Sequence, residues 1–359
     1  MNFRYSNILK LALISAIMTV ALVQRLQFFN QTGKDESAYE RAVTDFIEGK
    51  NPYKWTIESY QNPDDPGNHG FAYLPGLLYI DWFLFLTRLA TKIPFTFLQK
   101  FPVLLADMGV GFLLLKELYK KSYTAAVFGL LIWFFNPYFY FKNNYVYTDP
   151  LPIFFMLLAL YKLGKDDVLA GTFFGAAVAL KTFPLILFPV FLIASKERFK
   201  FLLAGAIIGI AISLPFLRDL RTYLQGALFI HGERFIQGRP FLFFISYFYK
   251  IELFQIIPFK VYTYLAIFGG WVVVLLAYLA LRLKDKYTLS LLSFSVFYLF
   301  TPVLNKTYLM WGIPILILSL FELAKKKHVV IYYSGLAMFW GFYYWYLSIW
   351  KDGFHIWRP

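Results

Sequence analysis

The sequence contains no cysteine and only four histidines in 359 residues. Without cysteine, disulfides and thiolate metal sites are excluded, and the redox compartment is left undetermined. The sequence also lacks a phosphate-binding P-loop, a glycine-rich dinucleotide motif after a strand, the paired histidines of zinc hydrolases and an Asp-x-Asp motif. Nucleotide donors and zinc hydrolysis therefore gain no support.

Charged residues are scarce, at 16%, whereas hydrophobic residues make up 59% and aromatic residues 22%. A soluble domain has about 45–50% apolar residues. Apolar runs of roughly 18 or more residues recur along the chain, which is typical of membrane-spanning helices. The sequence therefore predicts an all-α, polytopic integral membrane protein, with 1–359 as a single domain. The first run follows Arg4 and Lys10 and is expected to be a retained signal anchor.

The net charge of +14 would suggest nucleic acid for a soluble protein. Here the lysines and arginines collect in connectors between apolar runs, as they do in cytoplasmic loops. No basic arm or RNA-binding motif accompanies them, so we expect a lipid bilayer and no nucleic acid as the partner.

Placing every Lys-rich connector on one side of the membrane predicts the topology. Run 71–90 must then not cross fully, and run 168–195 must cross twice as two short helices broken around Lys181 and Pro184. The result is about eleven crossings, within a range of nine to thirteen. Loops 31–70 and 217–259 become the first and second large extracytoplasmic loops, and a functional cavity should open on that side.

The charged stretch "KDESAYERAVTDFIEGKNPY" (34–53) dominates the first loop. Apolar residues recur at helical spacing and predict an amphipathic helix over 36–48 on the membrane surface, ended by Gly49 and by Asn51-Pro52. Asp35 precedes this helix. It is either an N-cap or a carboxylate facing the cavity, and the two roles can coexist.

Other polar residues cluster at the predicted extracytoplasmic ends of the apolar runs. Each also has an alternative role that is structural only: N-capping for Asp149, snorkelling for Lys181, and solvation for His69 and the loop arginines. The candidates for a phosphate site are Lys181, His231, Arg234, Arg239, Asn305 and Lys306. The further candidates for the cavity lining are Glu36, Tyr39, Tyr53, His69, Tyr73 and Asp149. One carboxylate and several cations suit a reaction in which a hydroxyl attacks and a phosphate leaves.

At these residues the sequence resembles the GT-C fold glycosyltransferases, which use polyprenyl-phosphate sugars. "DESAY" (35–39) and "FAYLPGLLY" (71–79) look like the acidic-loop and proline-containing motifs of the aminoarabinose and protein mannosyltransferases. A closer likeness is to the enzyme that adds the first mannose to glycosylphosphatidylinositol and to related prokaryotic mannosyltransferases. The segments similar to theirs are "FIEGKNPY" (46–53), "FNPYFYFKNNYVYTD" (135–149), "LKTFP" (180–184), "HGERFIQGRPFLFFISYFY" (231–249) and "LNKTYLMW" (304–311).

The resemblance implies an inverting glycosyltransferase with a polyprenyl- or dolichyl-phosphate sugar donor, mannose being the expected sugar. The acceptor would be a glycolipid or a lipid-linked glycan. Asp35 corresponds to the catalytic aspartate of that family. Residues around the donor phosphate or sugar would be Lys181, His231, Arg234, Asn305 and Lys306. Two departures are "NKTY", which lacks an insertion, and "YTDP", which replaces a glycine-rich stretch at Asp149.

Three questions stay open at the level of sequence. A divalent cation between Asp35, Glu36 and His69 is conceivable, although their spacing is not diagnostic. A membrane transporter or flippase of a lipid-linked sugar is the alternative function, since it too would show broken helices and an intramembrane lysine. Short loops favour a prokaryotic plasma membrane over the endoplasmic reticulum.

Overall fold

The computed structural model of the chain describes residues 2–61, 70–142, 147–232, 237–242, 244, 256–324 and 329–348. These residues are mostly helical, and the helices are α1 (Asn2–Leu26), α2 (Lys34–Ile47), α3 (Pro52–Gln61), α4 (Pro75–Thr91), α5 (Phe95–Leu118), α6 (Tyr123–Phe134), α7 (Pro137–Lys142), α8 (Pro150–Lys162), α9 (Asp167–Leu180), α10 (Phe188–Ala194), α11 (Arg198–Ser213), α12 (Leu220–Ala227), α13 (Phe259–Tyr264), α14 (Gly270–Ala280), α15 (Lys286–Phe300), α16 (Tyr308–Trp311), α17 (Ile313–Ala324) and α18 (Val329–Ser348). The shorter helical turns are the 3-10 turns Phe183–Leu187, Leu214–Asp219 and Phe229–Gly232, and the π-helical turn Leu265–Gly269.

Helix length and composition support the prediction of an integral membrane protein. The helical segments that are long and apolar enough to cross a bilayer are Asn7–Leu26, Phe95–Leu118, Arg198–Gly232 and Lys260–Ala280. Shorter apolar helices are Tyr123–Phe139, Pro150–Lys162, Asp167–Leu180, Phe183–Ala194, Lys286–Phe300 and Ile313–Ala324. The predicted number of crossings, about eleven, stays a prediction.

The predicted break inside run 168–195 is confirmed. Helix α9 ends at Leu180, and Lys181 has an extended backbone (φ −159°, ψ 141°). Pro184 then opens a 3-10 turn that leads into α10, because proline lacks the amide that would continue α9. The halves also pack on different neighbours: α9 lies against α8 and α11, whereas the second half lies against α14 and α15.

Glycine brings α9 and α11 into backbone contact. A Cβ atom at Gly171 would lie 2.2 Å from the Phe201 carbonyl oxygen, and one at Gly175 would lie 2.9 Å from the Gly205 carbonyl oxygen. Small residues spaced by four positions allow this approach between membrane helices. Helix α11 is thereby fixed against the helix that ends at Leu180, directly before Lys181.

A buried ion pair joins the first helix to the centre of the molecule. Arg25 Nε donates to Asp107 Oδ2 at 2.7 Å, and both side chains are fully buried. The guanidinium also donates to the Phe134 carbonyl at 2.9 Å and lies 3.9 Å from the centre of the Phe139 ring. These contacts tie α1 to α5, α6 and α7.

The described residues also contain a two-residue parallel β-ladder, which the all-α prediction did not include. It pairs β1 (Gln237–Gly238) with β2 (Val303–Leu304). Gly238 has φ +75°, and a Cβ there would lie 2.0 Å from the Leu304 carbonyl oxygen, so this position requires glycine. In α18, Tyr346 donates to the same carbonyl at 2.7 Å. The ladder therefore brings the second large loop beside the segment that precedes α16.

Helix α2 corrects one expectation about the charged stretch. The helix begins at Lys34, and Gly33 occupies the N-cap position without a side-chain hydrogen bond. The interpretation of Asp35 as an N-cap is therefore wrong, because Asp35 lies in the first turn. The amphipathic pattern is confirmed, since Tyr39, Ala42 and Val43 are buried. The chain leaves the helix at Gly49, with φ +74°, and continues into α3, which the sequence analysis did not predict.

Candidate active site

Lys181 lies at the break after α9 and forms the centre of the site. Its Nζ donates to Asp149 Oδ1 at 2.8 Å, and the two side chains are only 14% and 4% exposed. The same carboxylate oxygen accepts a hydrogen bond from the Trp311 indole. Asp149 occupies the N-cap position of α8, as its capping alternative predicted, but its side chain makes no capping hydrogen bond. Nor does Lys181 snorkel to a surface, because its ammonium is held inside the site by Asp149.

Aromatic rings surround the ammonium of Lys181. Nζ lies 5.4 Å from the ring centre of Trp311, 5.6 Å from that of Tyr73 and 6.0 Å from that of Tyr308. Trp311 in turn stacks on Phe183, with ring centres 4.2 Å apart and planes 10° from parallel. Ring faces attract a cation, more strongly where water is excluded. The site therefore holds a desolvated cation in a fixed place.

Tyr73 connects this cation to the charged stretch of the first loop. The Tyr39 hydroxyl donates to the Tyr73 hydroxyl at 3.3 Å, and the Tyr53 hydroxyl donates to the Tyr73 carbonyl at 2.8 Å. Burial raises the pKa of Tyr73 to about 12, with Lys181 opposing the increase and Asp35 adding to it. Tyr73 is therefore a neutral phenol that lies within electrostatic reach of both charges.

Asp35 and Glu36 line a small pocket beside Tyr39. The Asp35 side chain is exposed, whereas Glu36 is buried. Burial raises the pKa of Glu36, while the Gly33 amide and the Lys100 charge oppose that increase. Lys100 Nζ donates to the carbonyls of Phe28, at 3.3 Å, and Phe29, at 2.8 Å. An anchored cation thus stands opposite two consecutive carboxylates.

Three further predicted residues lie along the β1–β2 ladder. The Arg239 amide donates to the Leu304 carbonyl at 3.1 Å, and the Arg239 side chain is buried. The Asn305 carbonyl accepts from the Tyr308 amide at 3.1 Å, and the Lys306 carbonyl accepts from the Tyr343 hydroxyl at 2.7 Å. The ladder thus brings Arg239 beside the segment that carries Asn305 and Lys306 and that leads to Tyr308 at the Lys181 cluster.

The remaining predicted residues divide into two groups. His231 is half-buried in the turn Phe229–Gly232, which packs against α12 and α13. Arg234 and His69 lie outside the described residues. Within the described part of the chain, no group of three or more His, Cys, Asp or Glu side chains could hold a metal ion. Whether Asp35, Glu36 and His69 bind a divalent cation, which the sequence left open, stays untested.

Sequence reasoning missed four residues of the site, which fall into two pairs with different reasons. Gln99 and Lys100 begin a long apolar run, where the polar pair "QK" was the available signal. Trp311 and Tyr147 stood inside segments quoted for the resemblance, but nothing in the spacing singled them out. Their roles depend on contacts across the fold, such as the 162 positions that separate Trp311 from Asp149.

The comparison with known proteins is consistent with this arrangement. The profile of glycosyltransferase family 87 matches residues 71–304, a range that includes Tyr73, Asp149 and Lys181 but begins after Asp35. No curated protein matches the chain. The narrower likeness to the first glycosylphosphatidylinositol mannosyltransferase stays a prediction. Because the matched range covers more than half of the sequence, the chain belongs to glycosyltransferase family 87.

Proposed function

We propose that the protein is an inverting glycosyltransferase of GT-C type that moves mannose from a polyprenyl- or dolichyl-phosphate carrier to a hydroxyl of a glycolipid or lipid-linked glycan. Family membership supports a transferase and gives the transporter alternative no support. The single observation that carries the proposal is the arrangement around Tyr73. Lys181 Nζ lies 5.6 Å from the centre of the Tyr73 ring, and the Tyr73 hydroxyl accepts a hydrogen bond from Tyr39, which lines the same pocket as Asp35.

In the proposed reaction, Asp35 acts as general base. Its carboxylate takes the proton of the acceptor hydroxyl as the hydroxyl oxygen attacks the anomeric carbon. The bond between the anomeric carbon and the carrier phosphate breaks on the opposite face, and the electron pair leaves with the phosphate. Attack opposite the leaving group inverts the anomeric configuration. The exposure of Asp35 at the pocket suits this role, because the carboxylate is accessible to an incoming hydroxyl.

Lys181 stabilises the charge that develops on the leaving phosphate. In the absence of donor, Lys181 forms an ion pair with Asp149. A donor phosphate that enters the site competes with this carboxylate for the ammonium of Lys181. The other proposed contacts to the donor phosphate or sugar come from the loop and ladder residues: His231, Arg234, Arg239, Asn305 and Lys306. A prokaryotic plasma membrane, with the site on its extracytoplasmic face, is the proposed location.

Transfer of radiolabelled mannose from a synthetic polyprenyl phosphate by the purified, lipid-reconstituted protein tests the proposal. Removal of a general base should lower transfer by about 10²- to 10⁴-fold in Asp35→Asn. Asp45→Asn is the matched control, because Asp45 lies in the same helix but outside the pocket. Undiminished transfer by Asp35→Asn contradicts the general base. Absence of transfer from every polyprenyl-phosphate sugar by the wild type contradicts the donor class.

A further inference from the structure

Tyrosine hydroxyls from two helices hold the short segment 304–308, which leads from β2 into α16. Two of these tyrosines belong to α18 and one to α15. The donors and the carbonyls that accept from them are Tyr346 to Leu304 at 2.7 Å, Tyr343 to Lys306 at 2.7 Å and Tyr298 to Tyr308 at 2.9 Å. The acceptors are every second residue, so one edge of the segment is held along its whole length.

Side chains hold this segment because regular structure does so only in part. Between α15 and α16, only residues 303 and 304 belong to the β-ladder, and buried carbonyls elsewhere need another donor. Tyr346 also donates to the Arg239 carbonyl at 3.3 Å, so one phenol contacts both sides of the ladder. Tyr343 and Tyr346 are fully buried, and a tyrosine side chain has only two rotatable bonds. The segment is therefore held by rigid arms.

The held segment forms one wall of the Lys181 site. The ring of Tyr308 lies 6.0 Å from Lys181 Nζ and stacks on Trp311, with ring centres 3.9 Å apart. Lys306, a proposed contact to the donor phosphate, stands two positions before Tyr308. A displacement of about 1 Å in groups that position a substrate can cost about a hundredfold in rate. The position of this backbone therefore bears directly on the donor.

Helix α18 makes the same kind of hydrogen bond at a second place, away from the site. The Tyr332 hydroxyl donates to the Ala125 carbonyl of α6 at 3.0 Å, and Tyr332 is buried like the other two tyrosines. It precedes Tyr343 by eleven positions, or about 16 Å along the helix. One helix thus offers two matched bonds, of which only one reaches the segment 304–308.

We infer that Tyr343 and Tyr346 are positioning residues for the donor: from α18 they hold the segment 304–308 so that Lys306 meets the phosphate beside Lys181. The inference rests on the proposed function for the polyprenyl-phosphate donor. Neither tyrosine contacts the donor, and each acts through the backbone that it holds. Helix α18, which follows the range matched by the family profile, is then part of the donor site.

Binding of farnesyl phosphate, a short polyprenyl phosphate, tests the inference against farnesol, which lacks the phosphate. Both are titrated by microscale thermophoresis against the full chain in detergent micelles. Tyr343→Phe and Tyr346→Phe keep the ring but lose the hydroxyl. Each should weaken farnesyl phosphate binding about five- to tenfold, as for one lost hydrogen bond, and leave farnesol binding unchanged.

Tyr332→Phe is the matched control, because it loses the same kind of bond from the same helix. Its unfolding midpoint should fall about as far as those of the other two variants, whereas both of its affinities should stay at the wild-type values. Tyr343 acts through Lys306, so adding Tyr343→Phe to Lys306→Met should weaken farnesyl phosphate binding little further.

The inference is overturned if Tyr343→Phe and Tyr346→Phe bind farnesyl phosphate as tightly as Tyr332→Phe, or if they lose affinity for farnesol to the same extent. Full additivity of Tyr343→Phe with Lys306→Met also overturns it. Failure of the proposed function is seen in the wild type instead. If the wild type binds farnesyl phosphate no more tightly than farnesol, the donor phosphate site itself is contradicted, and the inference is withdrawn with it.

Discussion

The ion pair between Lys181 and Asp149 leads to the sharpest stability prediction. Asp149→Asn keeps the size of the side chain and an oxygen that can accept from the Trp311 indole, but it removes the negative charge. Lys181 would then be a cation with 14% of its side chain exposed and without its carboxylate. The perturbation therefore isolates the charge of Asp149 from its shape.

The structure sets the expected magnitude. Removal of one partner of a buried pair costs about 3–5 kcal/mol, because the other charge stays desolvated. Three rings lie within 6.0 Å of Lys181 Nζ, and each contributes about 0.5–2 kcal/mol to the stability of the cation. We therefore expect Asp149→Asn to lower the free energy of unfolding by an amount at the lower end of that range, about 3 kcal/mol. Lys181→Met alone should also lower it. The double variant should lose less stability than the two single variants lose when added together.

The assay is a double-mutant cycle on the free energy of unfolding. Wild type, the two single variants and the double variant are unfolded by sodium dodecyl sulfate in mixed micelles, with helicity followed by circular dichroism. We expect a coupling energy of about 2 kcal/mol or more, as for residues in direct contact. The exposed pair Lys200–Glu197 gives the control cycle and should show no measurable coupling.

Additivity would refute this reasoning. If the two single losses add to within about 0.5 kcal/mol, Lys181 and Asp149 do not stabilise each other in the folded chain. The role of Asp149 as the partner that holds Lys181 for the donor phosphate would then be withdrawn as well.

Two further outcomes are expected. Gly76→Ala should destabilise the fold by about 1–3 kcal/mol through overpacking, because the new Cβ would lie 2.7 Å from the Ala179 carbonyl oxygen. Gly209→Ala is the control and should not destabilise it, because no atom lies within 4 Å of that Cβ. Equal unfolding midpoints for the two variants would contradict this prediction. Because burial raises the pKa of Glu36 above 4.5, the stability that its proton contributes is complete below that pH and is lost as pH rises through the folded pKa. The unfolding midpoint of wild type relative to Glu36→Gln should therefore fall as the pH rises above 4.5, and a constant difference would contradict the burial argument.

The sequence predicted those features that depend on local pattern. Lysine and proline inside an apolar run predicted the break at Lys181, because neither residue suits the interior of a lipid-facing helix. Gly49 predicted the end of α2, because its positive φ favours glycine. The spacing of Tyr39 and Val43 predicted which face of that helix is buried.

Features that depend on distant contacts were beyond the same reasoning. Asp149 pairs with Lys181 across 32 positions, and helical periodicity carries no information about partners at that separation. Gln99 and Lys100 belong to a long apolar run, so the pattern indicated a membrane span rather than the wall of a pocket. The N-cap alternative for Asp35 came from the frequency of aspartate at that position, whereas extended Gly33 occupies it.

The pair formed by Arg25 and Asp107 has a consequence for how a single change would spread through the fold. Arg25 lies near the end of the apolar span Asn7–Leu26, and its partner follows 82 positions later. Loss of the Asp107 carboxylate would leave a fully buried guanidinium without its counter-ion, at a cost of about 3–5 kcal/mol. Because the same guanidinium also donates to the Phe134 carbonyl, such a change would weaken the contacts of α1 with α5 and α6 together.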